Sequence, residues 1–360
     1  MRKVITLAPY PETPATGGSN RGMYGEAMLL VAGHLSRRGK IRRPYDLPTG
    51  RQPAPAMPPL AAPSLLHLDS GRNRLIGIGL VSGAVFFFSI LDASAKLLVP
   101  TLPLLQIVFL RFLGHTVFTA AVMMPVSRLN LVRTRRPWLQ FLRAMMLPCM
   151  TAMNFWALQY LQLAETGSIM FLAPVIVALL ASRLLGERLD AGRWAAVLVG
   201  FVGVVIILQP GSRGFHPAML VSLLQTVIYA CFILLTRHLA AVDRPESTNF
   251  LSALGSTVVI APFALLTWRM PDSALEWLLV ALTGIAGGLG HYLLALAHRF
   301  APASTLSPFI YQQILYMSLL GYLVFDDVPR PAVVIGTVVV VASGLYLLVK
   351  ERGSGTRRGG

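Results

Sequence analysis

Apolar residues in this chain are gathered into runs that begin at Leu75 and are separated by short polar segments. The runs are about 20 residues long, and a helix of that length, rising 1.5 Å per residue, crosses a hydrocarbon layer of about 30 Å. The pattern therefore predicts about ten membrane-spanning helices. The predicted spans are residues 75–98, 102–124, 139–160, 164–185, 192–209, 216–236, 248–268, 276–297, 301–325 and 331–349.

The composition supports this prediction, because 55% of the 360 residues are hydrophobic and only 13% are charged. An ordinary soluble domain carries about 25% charged residues, so the composition excludes one large soluble core. The net charge of +16 does not indicate a nucleic-acid partner, since lysine and arginine lie in the tails and in short loops rather than on a basic helix face.

The distribution of arginine predicts the orientation in the membrane. Ten arginines lie in or directly beside the loops after spans two, four, six and eight, whereas the other loops hold three. Positive loops stay in the cytoplasm, which places those loops and both termini on the cytoplasmic side of a bacterial inner membrane. The ten are Arg128, Arg133, Arg135, Arg136, Arg183, Arg188, Arg193, Arg237, Arg244 and Arg299.

The two ends of the chain differ from the apolar part. Residues 1–72 are rich in proline, glycine and arginine without a sustained period, and they are predicted to form a disordered basic tail. Met23 and Met57 are alternative starts, which leads to the hypothesis that the natural protein begins later. Residues 353–360 form a short polar tail.

An internal repeat divides the apolar part. The segment "LVSGAVFFFSILDASAKLL" from Leu80 matches "LVSLLQTVIYACFILLTRHL" from Leu220, and "LLGERLDAGRWAAVLVGFVGV" from Leu184 matches "VFDDVPRPAVVIGTVVVVASG" from Val324. Five spans fall in each half, and an odd number turns the second half over in the membrane. The prediction is an all-α integral membrane protein with two inverted five-helix repeats, at residues 73–211 and 212–352, as in many secondary transporters.

The residues of these repeats resemble the EamA type of the drug/metabolite transporter superfamily. The resemblance rests on "LQIVFLRFLGH", "AETGSIMFLAPVIVALLASRLLGERL" and "APASTLSPFIYQQILYMSLLGYLVFDDVP", among others, and covers residues 73–352. It implies ten helices in two EamA repeats and carriage of small organic solutes such as amino acids, amines, nucleotide-like metabolites or vitamins. The family's glycine-glutamate pair is kept at Gly186-Glu187 but is Asp326-Asp327 in the second repeat.

Three charged residues lie inside the first two predicted spans. Asp92 and Lys96 are four residues apart on one helix face, and Arg111 reaches a similar depth on span two. A charge in hydrocarbon costs at least about 2.5 kcal/mol, so these side chains are expected to face the protein interior. We expect Asp92 to meet Arg111, with Lys96 as a second partner. A substrate-binding or proton-linked acid and a structural ion pair both remain open.

Other charged residues have simpler interpretations. Arg143 lies near the cytoplasmic end of span three, where its long side chain is predicted to reach the interface. Glu187 and the pair Asp326-Asp327 are predicted to be residues of helix ends and gate loops.

Uncharged polar residues in the spans are candidates for binding substrate, with hydrogen bonding between helices as the alternative. His291 is a second candidate proton carrier, although a packing role is the alternative. Pro174 and Pro308 interrupt spans four and nine and are candidate kinks for gating. The remaining binding candidates are Asn154, Gln225, Tyr229, Tyr311, Gln312 and Gln313.

The sequence contains no phosphate-binding loop, no HExxH and no nucleophile elbow, so no catalytic residue, metal or cofactor is predicted. We therefore expect a secondary active transporter that works by alternating access and is driven by a proton gradient or by exchange. Its partners are a small-molecule metabolite, zwitterionic or heteroaromatic, and the lipid bilayer; a homodimer is left open. The alternatives are a membrane scaffold or sensor and, less favoured, an intramembrane enzyme or a channel.

Overall fold

The structure is a computed structural model that describes residues 71–127, 131–184, 190–240, 242–301 and 303–356. Most of the predicted N-terminal tail, the Gly186-Glu187 pair and the last four residues lie outside these ranges. Within them every regular element is a helix. The predicted all-α class is therefore confirmed.

The first repeat contains six helices that make five spans, because its fourth span is divided in two. The first three and the last of them are long and continuous, whereas α4 and α5 are short and follow each other directly. They are α1 (Gly71–Leu98), α2 (Leu104–Ser127), α3 (Pro137–Leu158), α4 (Leu163–Met170), α5 (Ala173–Leu184) and α6 (Ala191–Leu208).

The second repeat has the same order of elements, again with a divided fourth span. Each repeat thus has an odd number of crossings, and the two repeats lie in opposite orientations in the membrane. The helices are α7 (Ala218–Ala240), α8 (Pro245–Leu266), α9 (Ala274–Phe300), α10 (Ala303–Ile310), α11 (Gln313–Phe325) and α12 (Pro331–Thr356).

Nine stretches in the described part of the chain are long and apolar enough to cross a membrane. Two of them join α4 to α5 and α10 to α11. The remaining span, α3, has 22 residues but is more polar because it carries Gln140, Arg143 and Asn154. These stretches agree with the prediction of about ten membrane-spanning helices.

The two divided spans break at equivalent positions of the repeats. The interruptions lie at residues 171–172 and 311–312, so they are related by the same offset as the sequence repeat. Pro174 is the second residue of α5, where a proline removes no helical hydrogen bond, whereas Pro308 lies inside α10 just before the break. The two prolines therefore stand on opposite sides of the equivalent breaks.

Contacts between the repeats run along most of the helices. Helix α1 packs on α9, α6 on α12, and α3 on α7 and α8, while α2 packs on α8 and α9. Helices α2 and α9 approach most closely at Gly114 and Gly284, where a Cβ on Gly284 would lie 2.8 Å from the Gly114 Cα. Small residues permit this close crossing, which brings the polar residues of the two helices together.

Candidate substrate cavity

A cavity of about 350 Å³ lies between the two repeats and is lined by residues from both. Apolar residues form most of its wall, and a limited set of polar groups points into it, as is typical of sites for small molecules. Eight of the ten predicted binding and coupling candidates line this cavity. They are Asp92, Arg111, Asn154, Gln225, Tyr229, His291, Tyr311 and Gln313.

Asp92 is buried in α1 and is held by α3 rather than by a basic residue. Its Oδ1 accepts a hydrogen bond from Asn154 Nδ2 at 2.9 Å. Asp92 and Arg111 are close enough for their charges to interact, but these two described residues make no direct ion pair. The expected contact between them is therefore wrong in its geometry, although both face the same cavity.

Arg111 is a buried cation on α2 whose hydrogen-bonding groups are only partly satisfied. Its guanidinium lies over the Phe112 ring, 4.1 Å from the centroid, and the side chain is 5% exposed. Neither Nε nor Nη1 has a hydrogen-bond partner. A buried charge without hydrogen-bond acceptors is costly, so an acceptor for these nitrogens would stabilise the side chain.

Lys96 does not line the central cavity and does not contact Asp92. It forms an ion pair with Asp327 at 2.7 Å, donates to the Leu161 carbonyl at 3.1 Å and lies over the Phe325 ring. The prediction of Lys96 as a partner of Asp92 is therefore wrong. Lys96 instead connects α1 of the first repeat to the segment after α11 of the second.

Gln312 lies at the break between α10 and α11, outside the residues that line the cavity. Its Oε1 accepts a hydrogen bond from Ser82 Oγ at 2.6 Å. This contact fastens the interrupted span to α1. Of the two kink candidates, Pro174 lines the cavity, whereas Pro308 is not among its lining residues.

Two histidines stack beside the cavity, and sequence analysis identified only one of them. The rings of His115 and His291 are nearly parallel, with centroids 5.2 Å apart, and Phe88 contacts His291 edge-on. Neither ring nitrogen of His115 has a hydrogen-bond partner. His115 follows Arg111 by four residues on the same face of α2, and that spacing could have identified it.

The remaining candidates form the aromatic and amide part of the wall. Tyr311 packs against Phe171, with centroids 5.0 Å apart, and its hydroxyl has no hydrogen-bond partner. Tyr229 stacks on Phe232, and Gln225 is buried. Among the described residues, no three His, Cys, Asp or Glu side chains are grouped to hold a metal ion.

Arg143 is buried, so the prediction that it reaches the cytoplasmic interface is wrong. Its Nε donates to Thr236 at 3.0 Å, and Nη1 donates to the Thr248 carbonyl at 3.2 Å and to Ser252. The guanidinium also lies over the Phe232 ring, 4.2 Å from the centroid. Arg143 thus joins α3 to α7 and α8 across the boundary between the repeats.

A second connection between the repeats lies at the predicted cytoplasmic end, outside the spans. Asp243, between α7 and α8, accepts hydrogen bonds from the Arg135 backbone, the Thr134 hydroxyl and the Gln140 amide. Burial raises the pKa of Asp243, but these hydrogen bonds together outweigh burial and hold the pKa below its usual value. Asp243 is therefore a charged anchor for the loop before α3.

Polar contacts also join the two repeats at the opposite end of the helices, which is predicted to be extracellular. Gln162 Nε2 donates to the Val328 carbonyl at 3.3 Å, and Arg330 forms an ion pair with Glu165 at 2.6 Å. Together with the Lys96 contact to Asp327, these bonds hold the start of α12 on the start of α4.

Comparison with known proteins identifies relatives with transport functions. A S-adenosylmethionine uptake transporter of Rickettsia bellii is 27% identical over 289 residues, which are 79% of this chain and 97% of the relative. A riboflavin transporter of Vibrio cholerae is 32% identical over 197 residues, 53% of this chain and 65% of the relative. A pseudopaline exporter of Pseudomonas aeruginosa is 26% identical over 278 residues, 77% of this chain and 97% of the relative.

A solved crystal structure has the same fold, with a TM-score of 0.55 and 21% identity over 78% of this chain and 98% of the other. The sequence pattern of the EamA-like transporter family matches residues 75–209 and 216–349, one segment in each helical repeat. The matched segments cover most of the chain, and the chain therefore belongs to the EamA-like transporter family.

Proposed function

We propose that this protein is a secondary active transporter that carries a small polar metabolite across the cytoplasmic membrane. The observation that supports this best is the central cavity, which both repeats line and which gathers eight of the ten predicted binding and coupling candidates. A site at the boundary between inverted repeats can open to either side when one repeat moves against the other. The relatives named as transporters of S-adenosylmethionine, riboflavin and pseudopaline support a metabolite of similar size.

Energy for transport would come from a proton gradient or from exchange of solutes. Asp92 is the first candidate for proton coupling because its carboxylate faces the cavity and has one side-chain hydrogen bond, from Asn154. His291 is the second candidate. It is the weaker one, because its ring stacks on His115 and contacts Phe88 edge-on, which favours a packing role.

The orientation that we propose places both termini in the cytoplasm, following the excess of arginine in alternate loops. In that orientation the Lys96 and Glu165 ion pairs join the two repeats at the extracellular end. Alternating access would then require these contacts to break when the protein opens outward.

Transport by the purified full chain in liposomes tests the proposal. Radiolabelled S-adenosylmethionine, riboflavin and a mixture of amino acids serve as probes, with uptake and counterflow as readouts. Gln225→Leu removes an amide from the cavity wall and should lower uptake at least about tenfold. Leu224→Ala is the matched control, since this neighbour is 54% exposed on the outside of α7.

Folded protein that moves none of these probes would contradict the carrier function and favour a scaffold or sensor. Unitary currents would indicate a channel. Asp92→Asn separates two roles of the acid: folded protein that transports without proton coupling supports a coupling role, whereas a loss of folded protein supports a structural one.

A further inference from the structure

We propose that the cavity recognises an α-amino acid group, with Arg111 binding the carboxylate and Asp92, together with Asn154, binding the ammonium. This inference rests on the proposed transport function and specifies its substrate class. The substrate would be a zwitterion whose two charges are separated by one carbon, with an apolar or aromatic remainder.

The first argument is the absence of a direct bond between two opposite charges that face one cavity. Among the described residues that line it, Asp92 is the one carboxylate and Arg111 the one guanidinium. Attraction between buried charges is strong where water is scarce, and a direct pair would be the usual arrangement. Asp92 is instead held by Asn154, and two nitrogens of Arg111 have no acceptor.

The second argument concerns which ligand would satisfy both groups at once. A carboxylate is the acceptor that a guanidinium binds best, through two parallel hydrogen bonds. An ammonium offers three donors and no acceptor, which suits the carboxylate of Asp92 and the Asn154 amide oxygen. A ligand with only one of these charges would leave the other protein charge without a partner in the cavity.

The third argument comes from the rest of the wall. Phe88, Phe155, Phe171 and Tyr311 are cavity-lining aromatics, and Leu347 is among the aliphatic residues beside them. Such a surface favours an apolar or aromatic portion of the ligand.

The other charged or titratable side chains described near the cavity do not provide an alternative pair of opposite charges for binding a zwitterion. The imidazoles of His115 and His291 stack on each other rather than on Asp92. Arg143 is engaged by Thr236, Thr248 and Ser252. Recognition of opposite charges on a ligand is therefore assigned to Asp92 and Arg111.

Binding measurements with matched analogues of one skeleton test this inference on the detergent-purified full chain. The proteinogenic amino acids and S-adenosylmethionine are first screened by thermal shift, because a ligand of the folded state raises the melting temperature. L-tryptophan, tryptamine and 3-indolepropionate then form one analogue series, and S-adenosylmethionine and its decarboxylated form another. We expect loss of either charged group to weaken binding by about tenfold to a hundredfold.

Two variants assign the two contacts. Arg111→Gln should abolish the preference for L-tryptophan over tryptamine, and Asp92→Asn should abolish the preference for L-tryptophan over 3-indolepropionate. Arg269→Gln and Asp272→Asn are matched controls, because they make the same changes in an ion pair whose side chains are 53% and 65% exposed. The controls should bind all three compounds as the wild type does. If Arg111→Gln or Asp92→Asn fails to fold, the analogue series on the wild type still tests whether both charged groups of the ligand are recognised.

The inference is overturned if the amine or the acid binds the wild type as tightly as the zwitterion, or if none of the zwitterions binds. If riboflavin nevertheless binds and is transported, the carrier function stands, and only the assignment of an α-amino acid substrate is contradicted. Absence of transport with every probe would instead remove the proposed function itself.

Discussion

Arg330 at the start of α12 donates two hydrogen bonds to one carboxylate oxygen of Glu165 in α4, from Nε at 3.1 Å and from Nη2 at 2.6 Å. Its third nitrogen, Nη1, donates to the Gly214 carbonyl at 2.7 Å. The other oxygen of Glu165 accepts from the Gln162 backbone at 3.0 Å, which completes the cap of α4. One buried carboxylate thus connects a helix start in the first repeat to a helix start in the second.

Glu165→Gln should weaken this connection, because a neutral amide loses the charge that two guanidinium nitrogens bind. We expect the free energy of unfolding to fall by about 1–3 kcal/mol. Thermal unfolding of the detergent-purified protein measures the effect. Glu246→Gln is the control, since Glu246 pairs within the second repeat with Arg299, whose side chain is 61% exposed, and should cost less than about 1 kcal/mol. Equal losses in the two variants would contradict a special role of the contact between repeats.

The ion pair of Lys96 and Asp327 should behave as a coupled unit. Lys96→Met leaves Asp327 without its cation, and Asp327→Asn leaves the Lys96 ammonium without its anion, so each single change is expected to destabilise the protein. The double variant should lose less than the sum of the two, with a coupling energy of about 0.5–3 kcal/mol in a double-mutant cycle. If the loss of unfolding free energy in the double variant equals the sum of the two single losses, the ion pair does not contribute to stability.

The sequence predicted the contents of the cavity well, because a polar or ionisable side chain in a membrane span is expensive unless it faces the protein interior. That rule needs no knowledge of partners, and it placed Asp92, Arg111 and Gln225 correctly on the inside. Partner choice was not predictable: Lys96 and Asp327 are brought together only by tertiary packing. The choice of Asp327 over Asp92 depends on how the second repeat lies against the first.

Two errors have a physical reason in common, which is the close packing of the repeats. Arg143 was expected to reach water along its own helix, but α7 and α8 cover it and supply its acceptors. His115 was overlooked because its spacing of four residues from Arg111 was not considered. The crossing at Gly114 and Gly284 brings α9 against it and places His291 on its ring.

The hydrogen bonds of Asp243 lead us to expect that the protein loses stability in acid. Hydrogen bonds hold its folded pKa below the usual value, so the folded state favours the ionised carboxylate more than the unfolded state does. The stabilisation is fully present well above the ordinary carboxyl pKa of about 4 and is lost as the pH falls through it toward the lower folded pKa. Melting temperatures measured from neutral pH down to acid should fall more steeply for the wild type than for Asp243→Asn. Parallel curves would show that Asp243 does not anchor the loop before α3.

The crossing of α2 and α9 should tolerate no side chain larger than glycine. A Cβ at Gly284 would lie 2.8 Å from the Gly114 Cα, and backbone atoms cannot give way as a flexible side chain can. We expect Gly284→Ala to lower the free energy of unfolding by about 1–3 kcal/mol, the usual cost of overpacking. It should also reduce transport, because a shift of the two helices would displace Arg111 and His291, which line the cavity. Gly79→Ala is the matched control, because a Cβ on Gly79 would have no atom within 4 Å, and alanine there should be neutral or stabilising by up to about 1 kcal/mol. If both alanine variants melt at the wild-type temperature, close backbone contact does not hold these two helices together.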